Sequence, residues 1–204
     1  MGGMNIVGKI EHQALFSVPF FATELDDFEK HQPGIVQRIK ALQAKQPGLS
    51  HSNRHGWHSD NYLHNDSDPH IKWLFDHLGA FAVACAKHAK GKEVELSLYR
   101  SWANINPAGA WNMPHSHMPA HWSGVAYLQV EPNQQERDGD LILIDPFPVG
   151  HLHGRENTLN LRATPGKAFL WPAYLMHMVS PHQSSTDRIS VAFNFAYAAN
   201  PDGE

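Results

Sequence analysis

Three histidines and an arginine are the residues of this sequence whose types and spacing best suit chemistry. His115-Ser116-His117 lies in a stretch with strand texture. Side chains two apart on a strand share a face, so both imidazoles can point the same way and grip one ion. Neutral imidazole is the commonest metal ligand near neutral pH. His-x-His alone is common by chance, and most of the 16 histidines are expected on the surface. His177 adds to the pair, because it ends the apolar run 171–177, where an unpaired polar ring would be costly. Its plainer alternative is a core histidine bonded to the backbone. Arg188 follows the polar loop 180–187 and opens the most apolar strand, 189–197. A guanidinium at the mouth of a barrel strand suits two-pronged capture of a carboxylate; the alternative is a surface ion pair, for instance with Asp187. Alternation puts Ser190 on the face of Arg188. Asp145 is a further candidate carboxylate and ranks lower, since it precedes Pro146, where a turn role is natural. His121 also ranks lower, because Pro119 separates it from the pair.

These residues need strands to hold them, and the second half of the chain supplies strand texture. Val94, Leu96 and Leu98 alternate, and strand-like runs follow at 111–117, 123–130, 140–144, 158–162, 167–171, 174–179 and 188–197. With 93–104 that makes eight. Turn residues separate most of them, among them Asn106-Pro107, Pro132-Asn133, Asp138-Gly139 and Pro165-Gly166. The first half reads as helix and loop. Residues 15–21 suggest an outer strand. Ile35, Val36, Ile39 and Leu42 recur at helical spacing, and Pro33 predicts a start at about that residue, with the helix running to about 44. A second helix opens at Asp68-Pro69, buries a stripe from Ile71 through Leu78 to Cys85, and ends at Gly91. Between the helices, 50–67 is a long loop rich in His, Asn and Asp, read as a lid, a substrate edge or plain surface. The expectation is a mainly β fold with flanking helices: a helical and loop segment, 1–92, packing on a β core, 93–200, in one domain. Eight short strands after two helices suggest a jelly roll.

The order of these blocks resembles the 2-oxoglutarate and iron(II)-dependent oxygenase superfamily, and more narrowly its uncharacterised branch related to prolyl hydroxylases. That branch has an Asn-x-x-His-x-His segment, matched here at 112–117. Ser-Gly-Val-x-Tyr-Leu matches 123–128, and Gly-x-Leu-x-x-x-Asp-Pro matches 139–146. Pro-x-x-Leu-x-His-x-Val-x-Pro matches 172–181, and Arg-Ile-Ser-x-x-Phe-Asn matches 188–194. The resemblance implies a double-stranded β-helix. It implies iron(II) held by His115 and His177, and 2-oxoglutarate held through its far carboxylate by Arg188, assisted by Ser190 and Tyr127. It also implies oxidation of a small-molecule or peptide substrate with O2, hydroxylation being the default outcome. One departure stands out. The superfamily's usual pair is His-x-Asp, and the Asp position here is His117, so the implied triad is three histidines. Trp102, Asn104, Trp111, Asn112 and Trp122 are candidates to line the cavity.

Two rival readings remain open. One is a three-histidine cupin-type dioxygenase that needs no 2-oxoglutarate and so no buried carboxylate clamp. The other is a jelly-roll module that binds without catalysis. Composition narrows the partners. The net charge of −4, with Lys and Arg scattered, argues against a general nucleic-acid binder. No run reaches the roughly 18 apolar residues of a membrane span. The single cysteine, Cys85, excludes an internal disulfide, and with no signal-like N-terminus the expectation is a cytoplasmic protein. Tryptophans that read as exposed leave room for a homodimer.

Overall fold

The computed structural model describes residues 17–131, 138–147, 152, 154 and 156–198. Strand β1 (Phe21–Glu24) leads into helix α1 (Phe28–Gln43). The helix starts five residues ahead of Pro33, which lies inside it and not in its first turn. Phe28, buried with Ile35, Val36 and Ile39, anchors the extra turn against the core, and that packing outweighs the amide hydrogen bond that proline removes. Strands β2 (Asn53–Arg54) and β3 (Trp57–His58) and a short 3₁₀ turn (Leu63–Asn65) come next, so the stretch expected to be loop is partly built into sheet. Helix α2 (Pro69–Lys90) begins as expected: the Asp68 carboxylate accepts from the N–H groups of His70 (2.8 Å) and Ile71 (3.2 Å). Gly91 closes it at φ 67, a left-handed position that suits glycine.

All eight expected strands are present: β4 (Leu96–Asn106), β5 (Trp111–His115), β6 (Trp122–Gln129), β7 (Leu141–Ile144), β8 (Thr158–Leu161), β9 (Lys167–Pro172), β10 (His177–Val179) and β11 (Arg188–Tyr197). Of the outer strand expected at 15–21, residues 15–16 lie outside the described residues and 17–20 carry no strand; β1 begins only at Phe21 and pairs with β9. The turn expected at Pro132-Asn133 lies wholly outside them. Strand β10 is shorter than expected, because 173–176 form a turn closed by the Leu175 N–H on the Pro172 carbonyl.

The strands form two antiparallel sheets, ordered β1-β9-β6-β11-β4-β3 and β2-β5-β10-β7-β8, the double-stranded β-helix expected from the sequence. Side-chain parity in the six-stranded sheet decides what each face buries. Ala126 and Leu128 of β6, Val191 and Phe193 of β11, and Ala103 and Ile105 of β4 pack under the helices with Ile39, Leu74 and Leu78. Val125 and Tyr127 face the other sheet, with Leu141, Leu143, Phe169 and Trp171. Both faces are covered, which is why β6 and β11 read as continuous apolar runs. At Gly124 a Cβ would lie 2.4 Å from the Phe193 ring, so only glycine lets the helix-side core close there. No helix among the described residues is long and apolar enough to cross a membrane.

Candidate metal centre

His115 ends β5 and His177 begins β10, directly opposite it in register. Cross-strand partners share a face, and the two rings sit with centroids 4.3 Å apart. His117 lies two residues beyond the end of β5, tied by its N–H to the Ala173 carbonyl (2.9 Å). Its ring centroid is 4.9 Å from each of the other two. One ligand nitrogen from each ring lies within 4.8 Å of the others, as one shared ion requires.

The hydrogen bonds fix how two of these rings face the centre. His115 Nδ1 lies 2.6 Å from the Met113 carbonyl and His177 Nδ1 lies 3.0 Å from the Leu175 carbonyl. A carbonyl only accepts, so each Nδ1 carries the proton and each Nε2 presents a lone pair. His117 Nε2 is 3.2 Å from His177 Nε2. Two nitrogens at about 2.1 Å from one ion and at right angles to it are about 3 Å apart, so the spacing suits adjacent ligands. Burial, reinforced by the neighbouring histidines, pushes His117 down to about 2 and His177 down to about 3. Burial also lowers His115, partly offset by its bond to Met113. All three are neutral at pH 7, the state a metal needs.

Arg188 begins β11 and is 2% exposed, so it is not the surface ion pair that sequence left open. The guanidinium lies over the Tyr127 ring at 5.0 Å and its Nη1 donates to Ser190 Oγ at 3.4 Å. Its Nε and the Tyr127 hydroxyl make no hydrogen bond of good geometry to a described residue, although the two side chains attract each other. Burial disfavours the guanidinium charge, with Tyr127 and the carboxylate of Asp140 acting the other way. Asp140 thus acts on Arg188 at a distance; no ion pair within 4.0 Å joins Arg188 to a described residue. Burial raises the Tyr127 hydroxyl to about 12, so it is a donor at neutral pH. The three histidines, Tyr127, Arg188 and Ser190 line one cavity between the sheets. Two buried donors with capacity to spare, beside each other on its wall, fit an anionic group.

Trp102, Asn104 and Asn112 line that cavity as expected, whereas Trp111 and Trp122 do not. Trp122 has the parity of Ala126 and packs under the helices, its Nε1 donating to the Tyr197 hydroxyl. Trp111 is displaced by a bulge: β10 pairs His177 with His115 but Val179 with Asn112, so β5 spends one extra residue. Asn112 then shares the inner face with His115. Asp145 has the turn role, accepting from the Phe147 N–H (2.8 Å). His121 is exposed and its Nδ1 accepts from the Tyr197 N–H. Neither joins the three histidines. Sequence reading missed Ser52 and His58. Ser52 Oγ lies 3.4 Å from His115 Nε2. His58, 3% exposed, stacks on Trp102 at 5.2 Å. The only signal was their place in a long polar loop.

Comparison with known proteins gives one family match and several likenesses of fold. Residues 100–194 match the family described as "Putative 2OG-Fe(II) oxygenase". The fold resembles a prolyl hydroxylase from Trichoplax adhaerens, solved with a hypoxia inducible factor peptide fragment (TM-score 0.66, 13% identity, 87% of this chain and 83% of that one). It also resembles a Pseudomonas putida prolyl-4-hydroxylase (TM-score 0.64, 11% identity, 88% and 93%). A third likeness is HygX from Streptomyces hygroscopicus, solved with nickel and 2-oxoglutarate (TM-score 0.62, 11% identity, 88% and 83%). No curated protein matches the sequence. The matched stretch carries His115, His117, Tyr127, His177, Arg188 and Ser190, and the family it matches is one of iron(II) oxygenases that use 2-oxoglutarate.

Proposed function

We propose that this oxygenase is a hydroxylase in which His115, His117 and His177 hold the iron and Arg188, Ser190 and Tyr127 hold the far carboxylate of 2-oxoglutarate. The observation that carries this reading is one cavity with three converged imidazoles at one place and a buried arginine with donor capacity to spare at another. When bound, iron(II) and 2-oxoglutarate supply O2 activation, with oxidative decarboxylation to succinate and CO2 and oxidation of a substrate C–H bond.

The chain's own part is binding, orientation and exclusion of water. The Met113 and Leu175 carbonyls lock the tautomers of His115 and His177. Three neutral imidazoles leave the charge of the ion to be balanced by the dianion of 2-oxoglutarate. Arg188 supplies a charged two-pronged donor and Tyr127 a neutral one. Trp171, edge-on to His177 at 5.0 Å, and Leu141 form dry walls beside the centre. Low polarity there strengthens each of these contacts. An oxygenase that used no 2-oxoglutarate would have no need of a buried Arg188 in this cavity, and this disfavours the cupin-type alternative.

Arg188→Ala tests the assignment. Iron affinity should be little changed, and 2-oxoglutarate binding should weaken by on the order of 3–5 kcal/mol, as when one partner of a buried charge pair is removed. Calorimetric titration of the iron-loaded variant reads this directly. Binding as tight as wild type would remove the co-substrate from this end of the cavity.

A further inference from the structure

A second cleft opens over His115 and His117, walled by Trp102, His58, Arg100 and Asn194. The ladder between β4 and β11 shows where it stands. Arg188 pairs with Asn106, Ser190 with Asn104, Ala192 with Trp102, and Asn194 with Arg100. Residues two apart on these strands share the inner face. The two arginines therefore mark opposite ends of one face, roughly 20 Å apart at about 3.3 Å per residue. The histidines lie between those ends, with the His117 ring 5.3 Å from that of Trp102.

The cleft has the chemistry of an anion site. Arg100 is exposed at its edge, its guanidinium resting over the Tyr99 ring at 5.0 Å. No Asp or Glu is among the described residues that line it. Asn194, 3% exposed, has a side-chain oxygen with no hydrogen-bond partner among the described residues. Such an atom expects a donor from a ligand. Trp102 and His58, stacked with an interplanar angle of 11°, give the cleft a flat wall. A histidine at 117 also leaves the centre one unit of charge more positive than a carboxylate would, and so less repellent to an approaching anion.

We propose that this cleft is the substrate subsite, and that it takes a small molecule bearing a carboxylate or phosphate at the end remote from the oxidised carbon. Arg100 binds that anion, and Asn194 accepts a hydrogen bond from a donor beside it. This deepens the reading of the centre given above and rests on it.

The test uses the whole protein loaded without oxygen with iron(II) and saturating 2-oxoglutarate. Benzoate, phenyl phosphate and benzamide share a ring and differ in charge; each is titrated into wild type and into Arg100→Gln, with binding read by calorimetry. In wild type the better anion should bind at least about tenfold tighter than benzamide, the size of one charge-assisted hydrogen bond. Whether benzoate or phenyl phosphate leads separates a carboxylate from a phosphate. Arg100→Gln should erase the preference while the visible band of the loaded complex persists. Anions that bind no tighter than benzamide, or a preference that survives Arg100→Gln, would overturn the subsite and leave the oxygenase reading intact. Failure of wild type to form the loaded complex would overturn the oxygenase reading itself.

Discussion

In the proposed ligand set, position 117 carries an imidazole where a carboxylate would be usual, and that exchange would set the charge of the centre. His117 is also the least constrained of the three ligands proposed here. Among the described residues no carbonyl fixes its Nδ1 as one does in His115 and His177, and it sits beyond its strand. Two substitutions decide its part. His117→Ala should weaken iron binding by more than the about 10–100-fold that outer-shell partners of a metal ligand cost. His117→Asp should retain iron and uncoupled 2-oxoglutarate turnover, because a carboxylate restores the usual ligand set. Equilibrium dialysis of iron and succinate formation read the two effects; normal iron affinity in His117→Ala would remove His117 from the ligand set. At this scale the sequence was informative. The type and order of His115, His117, Tyr127, His177, Arg188 and Ser190 were legible, and they share one cavity. Ser52 and His58 were not, since their placement depends on which strand a polar loop joins.

Among the elements, the β5 bulge and Gly124 do the positioning. The bulge turns Asn112 inward beside His115, and no periodicity in 111–117 announces it, because a bulge is fixed by partner strands far off in sequence. The same holds for β2 and β3, two residues each, too short to show alternation. Pro33 misled for a related reason: burial of Phe28 lies outside the helix pattern and overrides a local breaker. The longer strands were legible because alternation or unbroken apolarity reports burial on one face or both. Gly124 gives a test at this scale. A Cβ there meets the Phe193 ring at 2.4 Å and the Phe169 carbonyl oxygen at 2.6 Å, and that backbone atom belongs to a paired strand. Gly124→Ala should destabilise the fold by about 1–3 kcal/mol, the usual cost of overpacking. A denaturation midpoint equal to wild type would show that β6 and β9 separate more easily than their pairing implies.

The whole molecule couples its stability to the protonation of its buried histidines. His58 is pushed down to about 4 by burial, and His117 and His177 lower still. A base whose folded pKa is depressed binds fewer protons folded than unfolded. Stability is therefore complete above the unfolded value of about 6.5 and falls as pH drops through the folded values. The metal-free protein should lose thermal stability steadily from about pH 6.5 to pH 4, and iron should raise the melting temperature at pH 7 and lose that effect in the same range. A melting temperature that stays flat across the range would mean that these histidines are solvated. Anaerobic titration of the protein with iron(II) and 2-oxoglutarate tests the proposed centre most directly. A weak visible charge-transfer band should need both components, saturate at one of each per chain, and be missing in His177→Ala. A protein that binds iron and shows no band with 2-oxoglutarate, or a band that persists in His177→Ala, would contradict that assignment.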